Sequence, residues 1–154
     1  MGHIKAGNPT IKSVWDDVRR AVEAIEEQSE YERSVKAFAL KVLDSCRRSG
    51  DRLTLACCLK LLIEIGIQMR YMRRFPPEAR LDVLKRRGRR GVSFNMSMLE
   101  RSGLPGPYKR RVLRTYLKVS SYVHPSPEAM TGDMPDDLVT EVFEVLSLLY
   151  SFRG

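Results

Sequence analysis

The sequence predicts an all-α protein: an up-and-down bundle of four long helices plus one or two short helices. Apolar residues recur at helical spacing, no segment alternates polar and apolar residues as a strand would, and no Asn-Gly or Asp-Gly pair marks a hairpin. A chain of 154 residues can bury a core of its own. We therefore predict a single helical domain over residues 1 to 154, with a flexible N-terminal segment at residues 1 to 12.

The first half of the chain predicts three long helices. Valines recur every four residues after Ser13, a good N-cap, so the first helix covers about residues 13 to 29. A second helix covers about residues 31 to 48 and ends before a glycine. Asp51 then caps a third helix, apolar on most sides, which has to end before Pro76. We expect this third helix to be the most buried.

The second half of the chain is less regular. A short helix at about residues 77 to 87 is followed by a basic loop with glycines, and Ser93 caps another short helix. A longer helix covers about residues 107 to 123, and Asp136 opens the last one, which carries a clear apolar stripe. The segment between these two helices is rich in proline and predicts a loop.

No segment predicts a membrane span, a secretion signal or a metal site. The longest apolar stretch, residues 53 to 69, contains Lys60 and Glu64 and is too short and too polar to cross a bilayer. The first ten residues lack the apolar region of a signal peptide. Cysteines and histidines do not occur at the spacing of zinc ligands. We expect a cytoplasmic protein with no membrane contact, no metal and no cofactor.

Charge is segregated along the chain. Residues 67 to 124 hold 15 Lys and Arg against 3 Asp and Glu, whereas residues 125 to 154 hold 1 against 6. Arginine outnumbers lysine 19 to 8, which either favours forked contacts to phosphate or reflects a genomic or thermophilic preference for arginine. Two interpretations follow. The central block is either a surface that binds nucleic acid, or a solvated arginine face that pairs with the acidic C-terminal segment.

Ten cations of the central block are candidate nucleic-acid contacts. Most lie in the fragments MRYMRRF and KRRGRRG, and aromatic residues that could stack on bases are interleaved with them: Tyr71, Phe75, Phe94 and Tyr108. The ten candidates are Arg70, Arg74, Lys85, Arg86, Arg87, Arg89, Arg90, Arg110, Arg111 and Arg114.

His124 is the only histidine outside the first ten residues, and it follows the predicted helix directly. At about 100° per residue it shares a flank with Leu113 and Leu117, whereas Lys118 and Ser121 lie on the polar stripe. Pro125 pushes His124 out of the helical conformation, so its imidazole lies near unpaired helix carbonyls. His124 is therefore either a cap for those carbonyls or a reactive group at a helix end.

The segment Tyr-x-x-x-Ser-x-Tyr-Val-His-Pro-Ser, late in an all-α chain and followed by one more helix, resembles the HEPN superfamily of prokaryotic helical bundles. The resemblance implies a homodimer and RNA as the ligand. Many members are metal-independent ribonucleases or toxins of toxin–antitoxin pairs, often with a small nucleotidyltransferase as partner. The family's mark is an arginine followed, after four to six residues, by a histidine. Here Lys118 and His124 have that spacing, with lysine in the arginine's place.

The candidate catalytic residues are His124, Lys118 and Ser121. A histidine can move a proton in metal-free RNA cleavage, while a cation stabilises the scissile phosphate. Lys118 supplies charge but lacks the forked geometry of arginine. Because Lys118 and His124 are also about 120° apart on one helix, a productive site would need a two-fold dimer in which each chain uses its mate.

We therefore predict RNA binding as the function, with cleavage conditional on the dimer. The first alternative is a non-catalytic interaction module that pairs with an acidic protein such as a nucleotidyltransferase. A DNA-binding protein is less favoured, because the sequence shows no convincing helix-turn-helix.

Overall fold

The computed structural model describes residues 9–48 and 51–151, and all regular structure in this part of the chain is helical. Eight α-helices follow one another along the described residues: α1 (Pro9–Glu23), α2 (Glu30–Arg48), α3 (Arg52–Met72), α4 (Arg80–Arg89), α5 (Ser97–Glu100), α6 (Gly106–Ser121), α7 (Pro127–Thr131) and α8 (Asp136–Ser151). A single 3-10 turn, Pro77–Ala79, precedes α4. The all-α prediction is confirmed. Five helices of 15 residues or more occur, one in each place where a long helix is predicted along the chain, so the count of four long helices in the predicted bundle is one too low.

The central helices of the fold are α3 and α8. Helix α3 packs against α2, α6 and α8, and α8 also packs against α1 and α6. As predicted, α3 is buried on most sides, with Ile63 and Ile67 fully buried. Gly66 lets the two central helices approach closely, because a Cβ atom there would lie 3.0 Å from the Cβ of Leu149. The core is therefore built around the α3–α8 contact.

Although α3 is predominantly apolar, it carries an ion pair on its half-exposed side. The Nζ atom of Lys60 lies 3.0 Å from Oε2 of Glu64, one turn away. Among the described helices, none combines the length and the apolarity that a membrane span requires.

The first helix differs from the prediction at both ends. It begins at Pro9 rather than Ser13 and ends at Glu23, about six residues earlier than expected. Proline suits the first turn of a helix because its φ angle is already fixed and the missing N–H is not needed there. Residues 9 to 12 therefore belong to α1 and not to a flexible segment, and residues 1 to 8 lie outside the described residues.

The helix α4 extends further than predicted. The first two residues of the expected loop, Gly88 and Arg89, are helical, since α4 ends at Arg89. A turn follows at Arg90 and Gly91, and the φ angle of Gly91 is +72°. The N–H of Val92 donates to the carbonyl of Arg87 at 2.9 Å, which closes the helix end. The arginines of the KRRGRRG fragment thus lie at a helix C-terminus, where the helix dipole favours cations.

The remaining elements are shorter or shifted. The helix predicted after Ser93 is α5, which has only 4 residues. It begins at Ser97, so its N-cap is Met96 and not Ser93. The helix α6 ends at Ser121, before the turn that contains His124. The short helix α7 forms inside the segment predicted as a loop, and Ser126 caps it by accepting the N–H of Ala129 at 3.2 Å.

A buried ion pair attaches α4 to α2. Nη1 of Arg80 lies 2.9 Å from Oε2 of Glu32, and each side chain is 6% exposed. The same nitrogen donates to Oε1 of Gln28 at 2.9 Å, and Nε of Arg80 donates to the carbonyl of Phe75 at 3.0 Å. Because a buried charge is costly unless it is paired and hydrogen-bonded, this arrangement fixes where α4 begins.

Candidate nucleic-acid interface

The exposed cations of α4 have no acidic partners. Lys85, Arg86 and Arg89 on the helix, and Arg90 directly after it, are all exposed. None of them forms an ion pair with a carboxylate in residues 9–48 or 51–151, although other arginines of the same stretch do. We call these four residues the α4 cluster. Four uncompensated positive charges on about two turns of a helix create a local positive potential that attracts polyanions.

Two further arginines, Arg87 of α4 and Arg74 after α3, lie over the ring of one tyrosine. The guanidinium carbons of Arg87 and Arg74 lie 5.1 and 5.7 Å from the ring centroid of Tyr71, and Nη1 of Arg87 donates to its hydroxyl at 3.4 Å. Tyr71 itself is only 5% exposed, and Phe75 packs against it with ring centroids 5.7 Å apart. The expectation that Tyr71 stacks on a base is therefore wrong, because its ring is buried against the two guanidinium groups. Arg74 remains exposed.

Arg70 does not belong to the surface. Its side chain is buried, with the residue 3% exposed, and Nε donates to the carbonyl of Leu149 at 2.7 Å. Burial, followed by the nearby charge of Arg73, lowers the pKa of Arg70 to about 10. We exclude Arg70 from the candidate contacts, because a guanidinium inside the α3–α8 contact cannot reach a phosphate on a bound polyanion.

Four of the five cations of α6 divide into two sets. On the side that faces α8, Arg111 forms an ion pair with Glu144, and Nζ of Lys118 lies 3.5 Å from Oε2 of Glu141. On the outer side, Arg110 and Arg114 are exposed and have no ion pair with any described carboxylate. The interpretation that basic residues pair with the acidic C-terminal segment is thus confirmed for one side of α6. We call Arg110 and Arg114 the α6 outer pair.

His124 lies in the turn after α6 and is exposed. It lines a cavity of about 460 Å³ between the start of α3 and α7, together with Arg52, Met130 and Asp133. Within the described part of the chain, no hydrogen bond of its imidazole to a helix carbonyl is present. The geometry therefore gives no support to the cap interpretation.

The three candidate catalytic residues have separate neighbours within one chain. Lys118 faces α8 through Glu141, while the hydroxyl of Ser121 donates to the carbonyl of Lys118 at 2.6 Å. The structure brings neither of them into the cavity that His124 lines. Arg52, whose guanidinium has the forked geometry of the family's arginine, does line this cavity. It donates to the carbonyl of Met134 at 2.9 Å and pairs with Asp136.

Sequence reasoning missed Arg52 because no local pattern connects it to His124. It is the first residue of α3, and only the packing of the α7 segment against the start of that helix brings the two together. The pairing of Arg80 with Glu32 was missed for the same reason. Helical periodicity gives no information about which distant carboxylate will face a given arginine.

Comparisons of this chain with family models, with curated proteins and with solved structures found no match. Its function is therefore inferred from its own residues and geometry.

Proposed function

We propose that this chain is an RNA-binding protein of the HEPN type, with its long helices in an up-and-down bundle. The observation that carries the proposal is the α4 cluster, in which four exposed cations have no acidic partner in the described chain. A helix whose first residue is fixed by the buried Arg80–Glu32 pair presents these cations in a defined geometry. Arg74 and Arg87, stacked on Tyr71, extend the positive charge to the end of α3.

Phosphate is the ligand that these side chains fit best. Three of the four residues in the α4 cluster are arginines, whose planar, forked donors match the oxygens of a phosphate group. Each phosphate contact releases counterions, so binding to a polynucleotide has a characteristic dependence on salt. An acidic protein partner, such as a nucleotidyltransferase, is the alternative occupant of the same surface.

The proposal is tested by fluorescence anisotropy with a labelled single-stranded RNA, titrated between about 50 and about 200 mM salt. We expect the logarithm of the association constant to fall linearly and steeply with the logarithm of the salt concentration. Polyglutamate of matched charge is the competitor that separates the two occupants. Displacement of RNA by polyglutamate at equal charge concentration would instead favour an acidic protein, and absence of RNA binding at low salt would contradict the proposal.

We also propose that the protein is a homodimer. Leu113 and Leu117 lie one turn apart on α6 and are 37% and 58% exposed, on the flank that leads to His124. A contiguous exposed apolar surface can mark a contact with another protein, and these two leucines would form the centre of such a contact. Light scattering at tens of micromolar should give twice the mass of the chain, whereas the mass of a single chain would contradict the dimer.

RNA cleavage is the second candidate function, and the cavity beside His124 is the observation that favours it. The exposed imidazole at this cavity could move a proton, while the cation on the phosphate would be Lys118 of the partner subunit in the proposed dimer, because Arg52 is buried and already paired with Asp136. Replacement of His124 by alanine should lower metal-independent cleavage by about two to four orders of magnitude without changing RNA affinity. The Lys118→Arg variant, which restores the family's residue, should raise cleavage. Cleavage that persists in His124→Ala would exclude this site.

A further inference from the structure

A groove of about 440 Å³ lies between α2, α3, α4 and the segment that leads into α5. Each of these elements contributes an apolar wall: Val35 of α2, Ile65 of α3, Leu81 and Leu84 of α4, and Phe94 before α5. Ligand sites typically have volumes of about 300–1,000 Å³ and mostly apolar walls. The groove therefore has the size and the lining of a site for a small molecule or for one group of a larger ligand.

One aromatic ring of the groove is available for contact with a ligand. Phe38 of α2 stands at the edge of the groove with 47% of the residue exposed. No aromatic ring of the described residues stacks on it, whereas Phe94 is half-buried and packs against Tyr116 with ring centroids 6.0 Å apart. Proteins that bind single-stranded nucleic acid stack bases on such exposed rings. Phe38 therefore offers a stacking surface that the fold itself does not use.

The polar groups inside the groove are bound by neighbouring side chains. Oε2 of Glu64 accepts the hydroxyl of Tyr116 at 2.6 Å and lies 3.0 Å from Nζ of Lys60. Oε1 of Gln68 accepts the hydroxyl of Tyr31 at 2.8 Å. A carboxylate in the wall repels a second negative charge at short range. The groove therefore fits an uncharged flat group, and the phosphates of a nucleotide have to stay outside it.

The surface next to the groove differs between the two ends of α4. Near the start of the helix, three carboxylates lie beside Lys85. The last turn of the helix also adjoins the groove, because a Cβ atom on Gly88 would lie 3.5 Å from Oγ of Ser93, which lines the groove. Arg89 and Arg90 follow directly and are exposed. Phosphates attached to a base in the groove would therefore be attracted to the end of α4.

We propose that this groove binds one unpaired base of the RNA, stacked on Phe38, while the adjoining phosphates contact the end of α4. The inference rests on the proposed function and specifies which RNA the surface takes, namely a single strand with an unstacked base. Bases in a duplex are stacked on both neighbours and paired, so they do not enter such a groove. Because every base has a flat face, all four bases can make this contact.

The test compares two labelled RNA heptamers that have the same phosphates. One carries no base at any position, and the other carries a single adenine at the central position. We expect the single-base heptamer to bind on the order of tenfold more tightly at the same salt concentration, because a stacked base stabilises the complex. Central uracil, cytosine or guanine should also increase the affinity. Equal affinity of the base-free and single-base heptamers, with a normal salt dependence, would overturn the groove inference and leave the RNA proposal intact.

Variants of Phe38 show whether the ring is the contact, and its exposure means that they should not disturb the core. Phe38→Leu keeps an apolar side chain without the ring, so it should remove most of the tenfold difference and leave the affinity for the base-free heptamer unchanged. Phe38→Trp supplies a larger ring and should retain the difference. Leu53→Ala, at a residue that is 57% exposed and outside the groove, is the control and should retain it as well. A full difference in Phe38→Leu would overturn the inference.

Two further outcomes separate the proposals from each other and from another occupant. If neither heptamer binds in a salt-dependent manner, the RNA proposal is overturned, and the groove inference with it. Decanoate joins an apolar chain to an anion and tests whether the groove takes an acyl chain instead of a base. At a concentration equal to that of the heptamer, decanoate should leave the tenfold difference unchanged. Loss of the difference under these conditions would identify an acyl chain as the occupant and overturn the inference.

Discussion

The helices α4 and α6 are both rich in arginine and lysine, yet their charges are compensated differently. The four residues of the α4 cluster have no carboxylate partner in the described chain. In α6, two of the cations pair with α8, Arg111 with Glu144 and Lys118 with Glu141. Among the exposed cations of α6, only the α6 outer pair lacks a described carboxylate partner, as the α4 cluster does.

The difference arises from the helix that each one packs against. The helix α8 carries acidic residues toward α6, whereas α4 packs on α2, where Glu32 is already bound by Arg80. Net charge along the sequence therefore does not identify a binding surface by itself. What identifies it is the set of cations that remains after the internal partners have been assigned.

The largest expected effect concerns the single arginine of α4 that is buried. Replacement of Arg80 by methionine should lower the free energy of unfolding by about 3–5 kcal/mol, because Glu32 is left buried without its cation. Urea denaturation measures the change. Arg86→Met, on the same helix but exposed, is the matched control and should change stability by less than about 0.5 kcal/mol. Equal effects of the two substitutions would show that α4 does not depend on the buried pair.

The next largest effect is a difference in the salt slope of RNA binding between variants on the two sides of α6. The double variant Arg110→Gln/Arg114→Gln should reduce the salt slope of RNA binding by roughly 1.4, the value for two lost contacts with a single strand. The double variant Arg111→Gln/Lys118→Gln removes the same charge from the side that is paired with α8, and should change the slope much less. Equal slopes for the two variants would mean that pairing with α8 does not decide which cations bind.

The smallest expected effect is an increase in RNA affinity. Glu141→Gln combined with Glu144→Gln should release Lys118 and Arg111 from their partners and raise RNA affinity a few-fold at low salt. Exposed ion pairs contribute only about 0–1 kcal/mol each, so the fold should remain stable. Anisotropy titrations of this variant, beside thermal melts, provide the measurement. Unchanged affinity would indicate that α6 lies outside the interface.

Much of the fold could be predicted from the sequence, because helices depend on local periodicity and caps. The N-cap role of Asp51 is confirmed, with its carboxylate accepting the N–H of Leu53 at 3.0 Å, and α3 is the central buried helix as expected. The errors lie at helix ends. Pro9 starts a helix earlier than Ser13, and α4 tolerates Gly88 because the stop is Gly91, with its positive φ angle.

The candidate site could be predicted only in part, because contacts between distant segments determine which residues are exposed. The α4 cluster was predicted from composition and lies at the surface, but Arg70 and Tyr71 of the same stretch are buried. Neither the pairing of Lys118 with Glu141 nor the position of Arg52 beside His124 has a signal in local sequence. The groove with Glu64 and Gln68 also depends on how α2 and α4 pack on α3.

The most direct measurement of the central claim is the salt slope of RNA binding in two variants with equal net charge. One replaces the α4 cluster, Lys85, Arg86, Arg89 and Arg90, with glutamine. The other replaces four exposed cations of α2, Arg33, Lys41, Arg47 and Arg48, with glutamine. If the α4 cluster contacts phosphates, the first variant loses roughly three units of slope and the second keeps the original slope. The same slope in both variants would show that RNA affinity follows net charge alone, and would contradict a binding surface on α4.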